Sequence, residues 1–446
     1  MSNDTSARAL SRRAFLGRAG RVSASLAVAG GAVDVLAACG SSGSKGGGGS
    51  SSTKVKMWSQ TYGDPKQFTA FVGKTAKAWN ATEGHDLKWD IVPWTSALQK
   101  WQLAMTNGSV PDVGDMFFLQ SRIVAGRKKW GPLDITDEVE KGMFGDWKRY
   151  VPVAQREASY KDRIYGIPWR IDVRGLVYND QLMPKAPATL EELESMAAEA
   201  VGQHKLKAGG MTMGGSTAPY QALKTIGAMW GVEFLSEDLT KSMLQDDRWM
   251  EAVLWAQKAV KNKILLASAV TSLKGDPSEP MLNKSVAFQL GGNEVILPSA
   301  QASAPQLVDH LKSAPTPVGP TGKSTGTAST AQFSVFENSK SRDASLEWLK
   351  RLTDPDFAVE LAKVAGQESA DTEVQARQMT EFRRPFLEAS RTALGIDQPT
   401  PAWAQLVAAP EGPISKLSLD IFGLRDPKAS LKEAHEGTQA ILDKLA

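Results

Sequence analysis

Residues 54–80, which read KVKMWSQTYGDPKQFTAFVGKTAKAWN, indicate the start of an α/β fold. Val55 and Met57 alternate with lysines, as expected of a strand with one buried face. Asp64 and Pro65 then supply a helix N-cap and a first-turn proline. The segment therefore predicts one strand followed directly by one helix.

The same order of elements repeats downstream. Alternating apolar residues predict a second strand at 87–91, a helix follows from about 96 to 107, and a third strand is predicted at 110–118. Alternating strands and helices are typical of α/β folds, whose ligands bind beyond the carboxyl ends of the strands. Because 446 residues exceed what one hydrophobic core normally serves, we expect two lobes of roughly 150–200 residues each.

The rest of the chain continues this pattern and then becomes mostly helical. Strands are predicted at 174–178 and 285–290, and a segment rich in Pro, Gly and Thr at 314–326 is expected to cross between the lobes. Helices are predicted at 189–201, where Thr189 begins a capping box, and at 247–261, 341–352, 356–364, 373–394, 402–421 and 429–445.

Composition and charge exclude several classes of protein. Hydrophobic residues make up 42% of the chain and charged residues 23%, which excludes wholesale disorder. The net charge is +3 at pH 7, but residues 1–38 hold five arginines and two aspartates, so the rest of the chain is formally neutral. A neutral body suits a receptor for uncharged solutes, and we expect no nucleic-acid partner. With one cysteine and four scattered histidines, we expect no disulfide framework, no metal and no other cofactor.

The N-terminal region has the features of an export signal. Residues 11–17, SRRAFLG, resemble the twin-arginine motif, and the apolar run at 22–33 is too short for a membrane span of about 20 residues. We therefore predict a Tat-type signal peptide at 1–38, although Asp34 departs from the apolar pattern of a signal.

A lipid-attachment site is predicted at the end of that signal. Residues 36–39, LAAC, resemble a bacterial lipobox, in which the Cys39 thiol receives a diacylglyceryl group. The following residues are almost all Gly and Ser, so the segment 39–53 is predicted to hold the lipidated cysteine and a flexible tether of about 20 Å. The alternative is a chance arginine pair and a buried cysteine.

A series of short motifs lies in a fixed order along residues 54–446. In sequence they are Trp58-Ser59, Pro111-Asp112-Val113, Gly131-Pro132-Leu133-Asp134, Tyr165-Gly166-Ile167-Pro168, Tyr178-Asn179, Pro187-Ala188-Thr189, Ser285-Val286-Ala287-Phe288 with Gly291-Gly292, and Asn338-Ser339-Lys340. In this order and spacing they resemble the extracytoplasmic solute-binding proteins of carbohydrate ABC importers, a bacterial lipoprotein family that includes the maltose-binding proteins.

The resemblance implies a periplasmic-binding-protein-like fold, in which two α/β lobes joined by a hinge close on a ligand in the cleft between them. It implies a first lobe of residues 54–168 and 323–365, and a second lobe of residues 169–322 and 366–446. The expected ligand is a sugar, polyol or related small solute. The expected partners are ABC permease subunits, and lipid on Cys39 would anchor the protein outside the cytoplasmic membrane.

Candidate ligand-binding residues follow predicted strands or match cleft positions of the family. Aromatic faces bind the apolar side of a sugar ring, and planar polar groups bind its hydroxyls. The candidates are Gln60, Tyr62, Phe117, Gln120, Trp169, Arg170, Asp172, Tyr220, Asn293, Glu294, Ser329, Glu368 and Trp403. By the resemblance, Asp172 matches a ligand-binding carboxylate and Tyr220 an aromatic ring that lines the second lobe. Two alternatives stay open: a surface ion pair between Arg170 and Asp172, and a core position for Trp403.

Two departures from the family bear on the ligand. Where relatives often carry Gly-Pro-Trp, this chain has Gly292, Asn293 and Glu294, so a stacking ring is replaced by a carboxylate. After Gly366, where many relatives place a proline and an arginine, this chain has QESAD at 367–371. Both changes favour a more polar or partly cationic ligand over a long stacked maltodextrin.

Two other functions stay open. One is a secreted carbohydrate-active enzyme in which Asp172 and Glu294 act as paired acid and base or nucleophile, which needs a defined separation of two carboxyl groups. The other is a lipoprotein receptor that reports its ligand to a sensor kinase. The ordered motifs favour binding without chemistry, so we expect a protein that is not an enzyme.

Overall fold

The structure is a computed structural model that describes residues 53–82, 84–117, 129–213, 218–272, 278–398, 400 and 402–444. The predicted signal peptide, Cys39 and Gln120 lie outside the described residues, and of Phe117 the structure describes the backbone alone. Within the described ranges, no helix combines the length and the apolar character that a bilayer crossing requires.

Ten of the strands in the described ranges form one mixed sheet, and the other two pair with each other in a separate two-stranded sheet. In chain order, the strands are β1 Lys54–Gln60, β2 Asp86–Val92, β3 Val113–Phe117, β4 Ser159–Tyr160, β5 Arg163–Ile164, β6 Ile167–Asn179, β7 Gly210–Thr212, β8 Phe288–Gly292, β9 Leu311–Ala314, β10 Thr327–Val335, β11 Glu368–Ser369 and β12 Leu394–Gly395. The main sheet has the order β2–β1–β3–β10–β6–β8–β7, with β9, β11 and β12 paired at its sides. β1 is parallel to β2 and β3, whereas β10 is antiparallel to β3 and β6.

Helices connect these strands and make up most of the C-terminal part. They are α1 Pro65–Asn80, α2 Trp94–Asn107, α3 Thr136–Glu140, α4 Pro152–Glu157, α5 Leu190–His204, α6 Tyr220–Met229, α7 Asp247–Lys261, α8 Ser268–Thr271, α9 Glu279–Leu282, α10 Ile296–Ser303, α11 Arg342–Leu352, α12 Pro355–Ala365, α13 Thr372–Gln378, α14 Arg384–Ala389, α15 Trp403–Leu406, α16 Pro413–Phe422 and α17 Pro427–Leu442. Short 3₁₀ turns span Trp147–Arg149 and Pro305–His310. The mixture of strands and helices confirms the predicted α/β class.

Local sequence signals set the first elements as predicted. The Asp64 side chain accepts a hydrogen bond from the backbone N–H of Gln67 at 2.8 Å and caps α1, in which Pro65 is the first residue. At the end of α2, Gly108 adopts a left-handed conformation with φ of 80°. These signals act within one turn of the chain, which explains why the sequence reveals them.

Two predicted helices are wrong in extent. The region predicted as a helix at 373–394 contains α13, α14 and β12, because the chain is extended at Met379 and restarts as a helix with Pro385 in its first turn. The region predicted at 402–421 contains α15 and α16, because Gly412 and Pro413 begin a new helix. In both places the helical pattern of the sequence continues past a proline that begins a new helix.

Strand β6 contributes side chains to two hydrophobic clusters. The first cluster includes Ile171, Val173 and Val177 of β6 together with side chains that cover β1–β3, and the second includes Leu176 with helices of the C-terminal part. β6 is 13 residues long and pairs with β10 and β11 near its start, then with β8 and β9 near its end. The polar residues in the middle of β6 therefore lie on a strand that both clusters share. The exact lobe boundaries stay a prediction.

Candidate functional site

Asp172 lies on strand β6 and has two side-chain partners. Because alternate residues of a strand point to the same face, Arg170, Asp172 and Arg174 share one face of β6. One oxygen of Asp172, Oδ2, lies 2.6 Å from Nη2 of Arg174, and the other accepts a hydrogen bond from the Asn293 side chain. Ser329 of β10 is buried and pairs in register with Asp172. The structure thus brings together three predicted residues, Asp172, Asn293 and Ser329.

Arg170 does not form the surface ion pair with Asp172 that was left open, and that alternative is wrong. Its side chain is 5% exposed, and Nη1 donates a hydrogen bond to Oε1 of Gln367 at 3.0 Å. The guanidinium also lies over the Tyr62 ring, 5.3 Å from the ring centroid. Arg170 is therefore held inside the protein between Gln367 and Tyr62.

A buried carboxylate, Asp115, organises three predicted residues at the end of β1. It accepts hydrogen bonds from the Tyr62 hydroxyl at 2.8 Å and from Nε1 of Trp169 at 2.9 Å. The Tyr62 hydroxyl also lies 3.1 Å from Oε1 of Gln60. Burial raises the pKa of the Asp115 carboxyl to about 6, although the hydrogen bonds of Trp169 and the charge of Arg170 act in the opposite direction. Gln60, Tyr62 and Trp169 therefore form one fixed polar and aromatic group.

Glu294 and Glu368 form a second group of carboxylates beside Asp172. Nε of Arg383 donates a hydrogen bond to Oε2 of Glu294 at 2.5 Å. Burial raises the pKa of Glu294 to about 7, against the attraction of Arg383. Burial and then the negative charge of Glu294 raise the pKa of Glu368 well above its usual range. Both carboxyl groups are buried, and both interact electrostatically with Asp172.

Tyr220 and Trp403 meet at a further buried carboxylate, Asp397. The Tyr220 hydroxyl donates to Oδ1 of Asp397 at 2.6 Å, and Nε1 of Trp403 donates to the same oxygen at 2.7 Å. The two rings pack edge to face with centroids 5.7 Å apart. Burial raises the pKa of Asp397 above its usual value, although the positive charges of Lys224 and Arg174 act in the opposite direction. Trp403 is 4% exposed and belongs to the second hydrophobic cluster, as its core alternative predicts.

A cavity of about 470 Å³ borders this group at Asp397, and Asp172 is not among the residues that line it. Its walls include Glu157, Gly395 and Asp397. Glu157 accepts a hydrogen bond from Thr330, whose side chain points to the face of β10 opposite Ser329. We therefore place the candidate site on the Asp172 face of the sheet and not in this cavity.

Several residues of the site were not predicted from the sequence. Arg174 could have been found, because it follows Asp172 by two positions on a strand and shares its face. Asp115 could have been noticed as a carboxylate inside an otherwise apolar strand. Arg383 and Asp397 carry no local signal, since each reaches its partner through a long-range contact. The structure describes no cluster of three or more metal-ligating side chains within the ranges given above.

Comparison with known proteins gives relatives of one kind. Binding proteins of Brucella abortus and Brucella suis are 25% identical over 388 residues, which is 82% of this chain and 89% of each relative. The sugar-binding protein MalE of Xanthomonas citri superposes with a TM-score of 0.73 at 16% identity, covering 88% of this chain and 98% of that one. The GacH receptor of Streptomyces glaucescens, solved with acarbose, gives a TM-score of 0.72 at 18% identity, covering 87% and 98% of the two chains.

A solute-binding protein of Agrobacterium radiobacter in complex with ribitol also superposes, with a TM-score of 0.69 at 17% identity over 87% of this chain and 98% of that one. These likenesses confirm the predicted two-lobed periplasmic-binding fold. Residues 62–359 match the family described as bacterial extracellular solute-binding proteins. This match covers more than half of the chain and agrees with the motifs found in the sequence, so the protein belongs to the bacterial extracellular solute-binding protein family.

Proposed function

We propose that this protein captures a sugar or sugar-like solute outside the cytoplasmic membrane and delivers it to the permease subunits of an ABC importer by hinge closure. Its solved neighbours bind polyhydroxylated molecules such as ribitol and acarbose. In this proposal the two lobes have the boundaries that the sequence predicts, and β6 is one of the segments that cross between them. Binding at such a strand couples ligand capture to closure, because a ligand that touches both lobes stabilises the closed state.

Buried polar atoms without partners on the Asp172 face carry this proposal. Nε and Nη1 of Arg174 and Oε1 of Glu294 are buried and have no hydrogen-bond partner among the described residues. Such atoms are costly unless something binds to them. Sugar hydroxyls both donate and accept hydrogen bonds, so the several hydroxyls of one sugar can satisfy the arginine nitrogens and the glutamate oxygen.

The proposed anchor is the diacylglyceryl group on Cys39. A single acyl chain holds a protein only marginally at a membrane, whereas two chains give stable attachment. The Gly/Ser tether after Cys39 would let the folded body reach the permease while the lipid stays in the bilayer.

Thermal unfolding of the protein with a panel of sugars and polyols tests the binding function. A ligand of micromolar affinity present at millimolar concentration stabilises the folded state by about 4 kcal/mol, which gives a clear rise in the unfolding midpoint. Asn293→Ala should reduce this rise because it removes a partner of Asp172. Asn262→Ala, at an exposed position, is the matched control.

The enzyme alternative is decided in the same samples. Solute recovered unchanged after incubation supports a binding protein, whereas a hydrolysed product supports catalysis by Asp172 and Glu294. No stabilisation by any sugar or polyol would contradict the proposed function.

A further inference from the structure

Trp94 presents an exposed aromatic side chain at the edge of the sheet where ligands are expected. It is 39% exposed, whereas the neighbouring Tyr62 is 4% exposed. β1 ends at Gln60 and the parallel strand β2 ends at Val92, so Tyr62 and Trp94 each follow the carboxyl end of a strand. Open α/β sheets bind their ligands beyond these ends. Because the indole makes up most of a tryptophan's surface, much of the exposed area of Trp94 belongs to its ring.

Two contacts hold the Trp94 ring in one orientation. Nε1 donates a hydrogen bond to the backbone carbonyl of Thr61 at 2.6 Å. The ring also packs edge to face with the Tyr62 ring, with centroids 5.6 Å apart and an interplanar angle of 86°. Since the two rings are perpendicular, Tyr62 cannot cover both faces of the indole. A ring that is already fixed in this way loses little conformational freedom when a ligand packs on it.

The Tyr62 ring links Trp94 to the face of β6 that carries Asp172. The guanidinium of Arg170 lies 5.3 Å from the centroid of the Tyr62 ring, and Arg170 precedes Asp172 by two positions on the strand. Nε of Arg170 is buried and has no hydrogen-bond partner among the described residues. A buried donor of this kind is costly unless something binds to it, so a polar group that suits a sugar hydroxyl lies beside the aromatic rings.

The turn that holds Trp94 also lies close to the helix that follows Glu294. A Cβ built on Gly366 would lie 3.7 Å from Cγ of Pro298 in α10 and 4.0 Å from Cα of Gly63. Gly366 therefore lies between α10 and the turn that contains Gly63. Since α10 begins two residues after Glu294, the segments that carry Trp94 and Glu294 come together at Gly366.

An exposed aromatic face beside polar groups suits a sugar that is closed into a ring. A pyranose has a face of C–H groups that packs flat against an aromatic ring, while its hydroxyls stay at the edge of the ring for hydrogen bonds. An open-chain polyol has no such face, because its hydroxyls point to all sides of a flexible chain. An indole in this place therefore distinguishes a ring sugar from the corresponding alditol.

We infer that Trp94 is a specificity-determining residue whose indole stacks on the apolar face of a pyranose, so that the solute is a ring sugar and not an open-chain polyol. This inference rests on the proposed function and narrows its class of solute.

Isothermal titration of the full chain at pH 7 tests the inference. The panel pairs glucose, galactose, mannose and xylose each with its own alditol, and adds maltose, cellobiose and trehalose. We expect the solute that binds most tightly to be a ring sugar, and any aldose that binds to do so about 10-fold more tightly than its alditol.

Three variants test the role of the indole. Trp94→Leu keeps an apolar side chain and removes the aromatic face, so it should weaken the best-bound ring sugar about 10-fold. Trp94→Phe keeps an aromatic face and should stay within about threefold of the parent protein. Leu103→Ala, at another exposed apolar position of α2, is the matched control and should leave the affinity unchanged. The unfolding midpoint of each variant is measured without sugar.

The outcomes separate this inference from the proposed function. An alditol as the best-bound solute, or Trp94→Leu with unchanged midpoint and affinity, overturns the inference and leaves the proposed function standing. If Trp94→Leu does not fold, Trp94→Phe decides: the change in tryptophan fluorescence on saturation with the sugar should be smaller than in the parent protein, and an equal change overturns the inference. If no sugar or polyol binds, the proposed function fails and the inference fails with it.

Discussion

Replacing Asp115 with asparagine perturbs the group that holds Tyr62 and Trp169 in place. Asp115 is fully buried, and burial raises the pKa of its carboxyl from 3.8 to about 6. The unfolded chain releases this proton at lower pH than the folded protein does. The contribution of Asp115 to stability is therefore greatest below about pH 4 and falls as the pH rises to about 6. A difference of about two pKa units corresponds to about 3 kcal/mol of stability lost over that range.

Asp115→Asn removes this pH-dependent loss because the amide does not titrate. The amide offers one acceptor oxygen, so either the Tyr62 hydroxyl or Nε1 of Trp169 loses its partner, at a cost of about 1–3 kcal/mol at every pH. We expect the variant to be less stable than the parent protein at pH 4 and nearly as stable, or more stable, at pH 7. Between pH 4 and pH 7, the difference in free energy of unfolding between the two proteins should change by about 3 kcal/mol in favour of the variant.

Denaturant unfolding followed by tryptophan fluorescence at pH 4, 5, 6 and 7 measures this difference. Asp309→Asn, at an exposed position, is the control and should show no such change with pH. A gap between Asp115→Asn and the parent protein that stays constant from pH 4 to pH 7 would refute the reasoning, since it would mean that burial does not perturb the carboxyl.

Three further changes give direct tests. Tyr220→Phe removes the hydroxyl that donates to Asp397 and should lower the free energy of unfolding by about 1–3 kcal/mol. Tyr160→Phe, at a partly exposed position, is the control, and a smaller loss in Tyr220→Phe than in this control would contradict the account. Gly63→Ala should lower the free energy of unfolding by about 2–4 kcal/mol, because φ is +53° there and an added Cβ would lie 2.5 Å from the carbonyl oxygen of Val364. An unchanged unfolding midpoint would contradict this and show that the turn relaxes freely. Cys39→Ser should move the protein from the membrane fraction to the soluble fraction, and unchanged membrane association would argue against lipid attachment at Cys39.

The parts of the fold that depend on local chemistry could be predicted from the sequence. Asp64 and Pro65 specify the start of α1 within one turn, and the residues at 247–261 follow the helical period over the full length of α7. The long helix predicted at 373–394 failed because Pro385 suits the first turn of a new helix, and helical periodicity alone does not show where the chain restarts.

The full extent of β6 could not be predicted for a different reason. Its first half contains Pro168, Arg170 and Asp172, which do not read as a buried strand. That half is a strand because β10 and β11 pair with it, and both lie far away in the sequence. Sequence pattern identifies residues that pack within one element, and it fails where pairing partners come from distant segments.

In the candidate site, too, residues beside a local motif could be predicted and their distant partners could not. Asp172, Asn293 and Glu294 could be named because motifs of the family lie beside them. Arg174 could have been found as well, because it follows Asp172 by two positions on the same strand, whereas Arg383 could not, since an ion pair between distant segments leaves no local pattern. For the same reason, the sequence suggested a polar or partly cationic ligand but did not show that Glu294 is already paired with Arg383.

Isothermal titration of the purified protein with sugars and polyols, with the solute recovered and analysed afterwards, tests the central claim most directly. The account predicts saturable binding of one solute molecule per chain, weakened by Asn293→Ala and unaffected by Asn262→Ala, with the solute recovered intact. Absence of binding by every sugar and polyol, or recovery of a cleaved product, would contradict it.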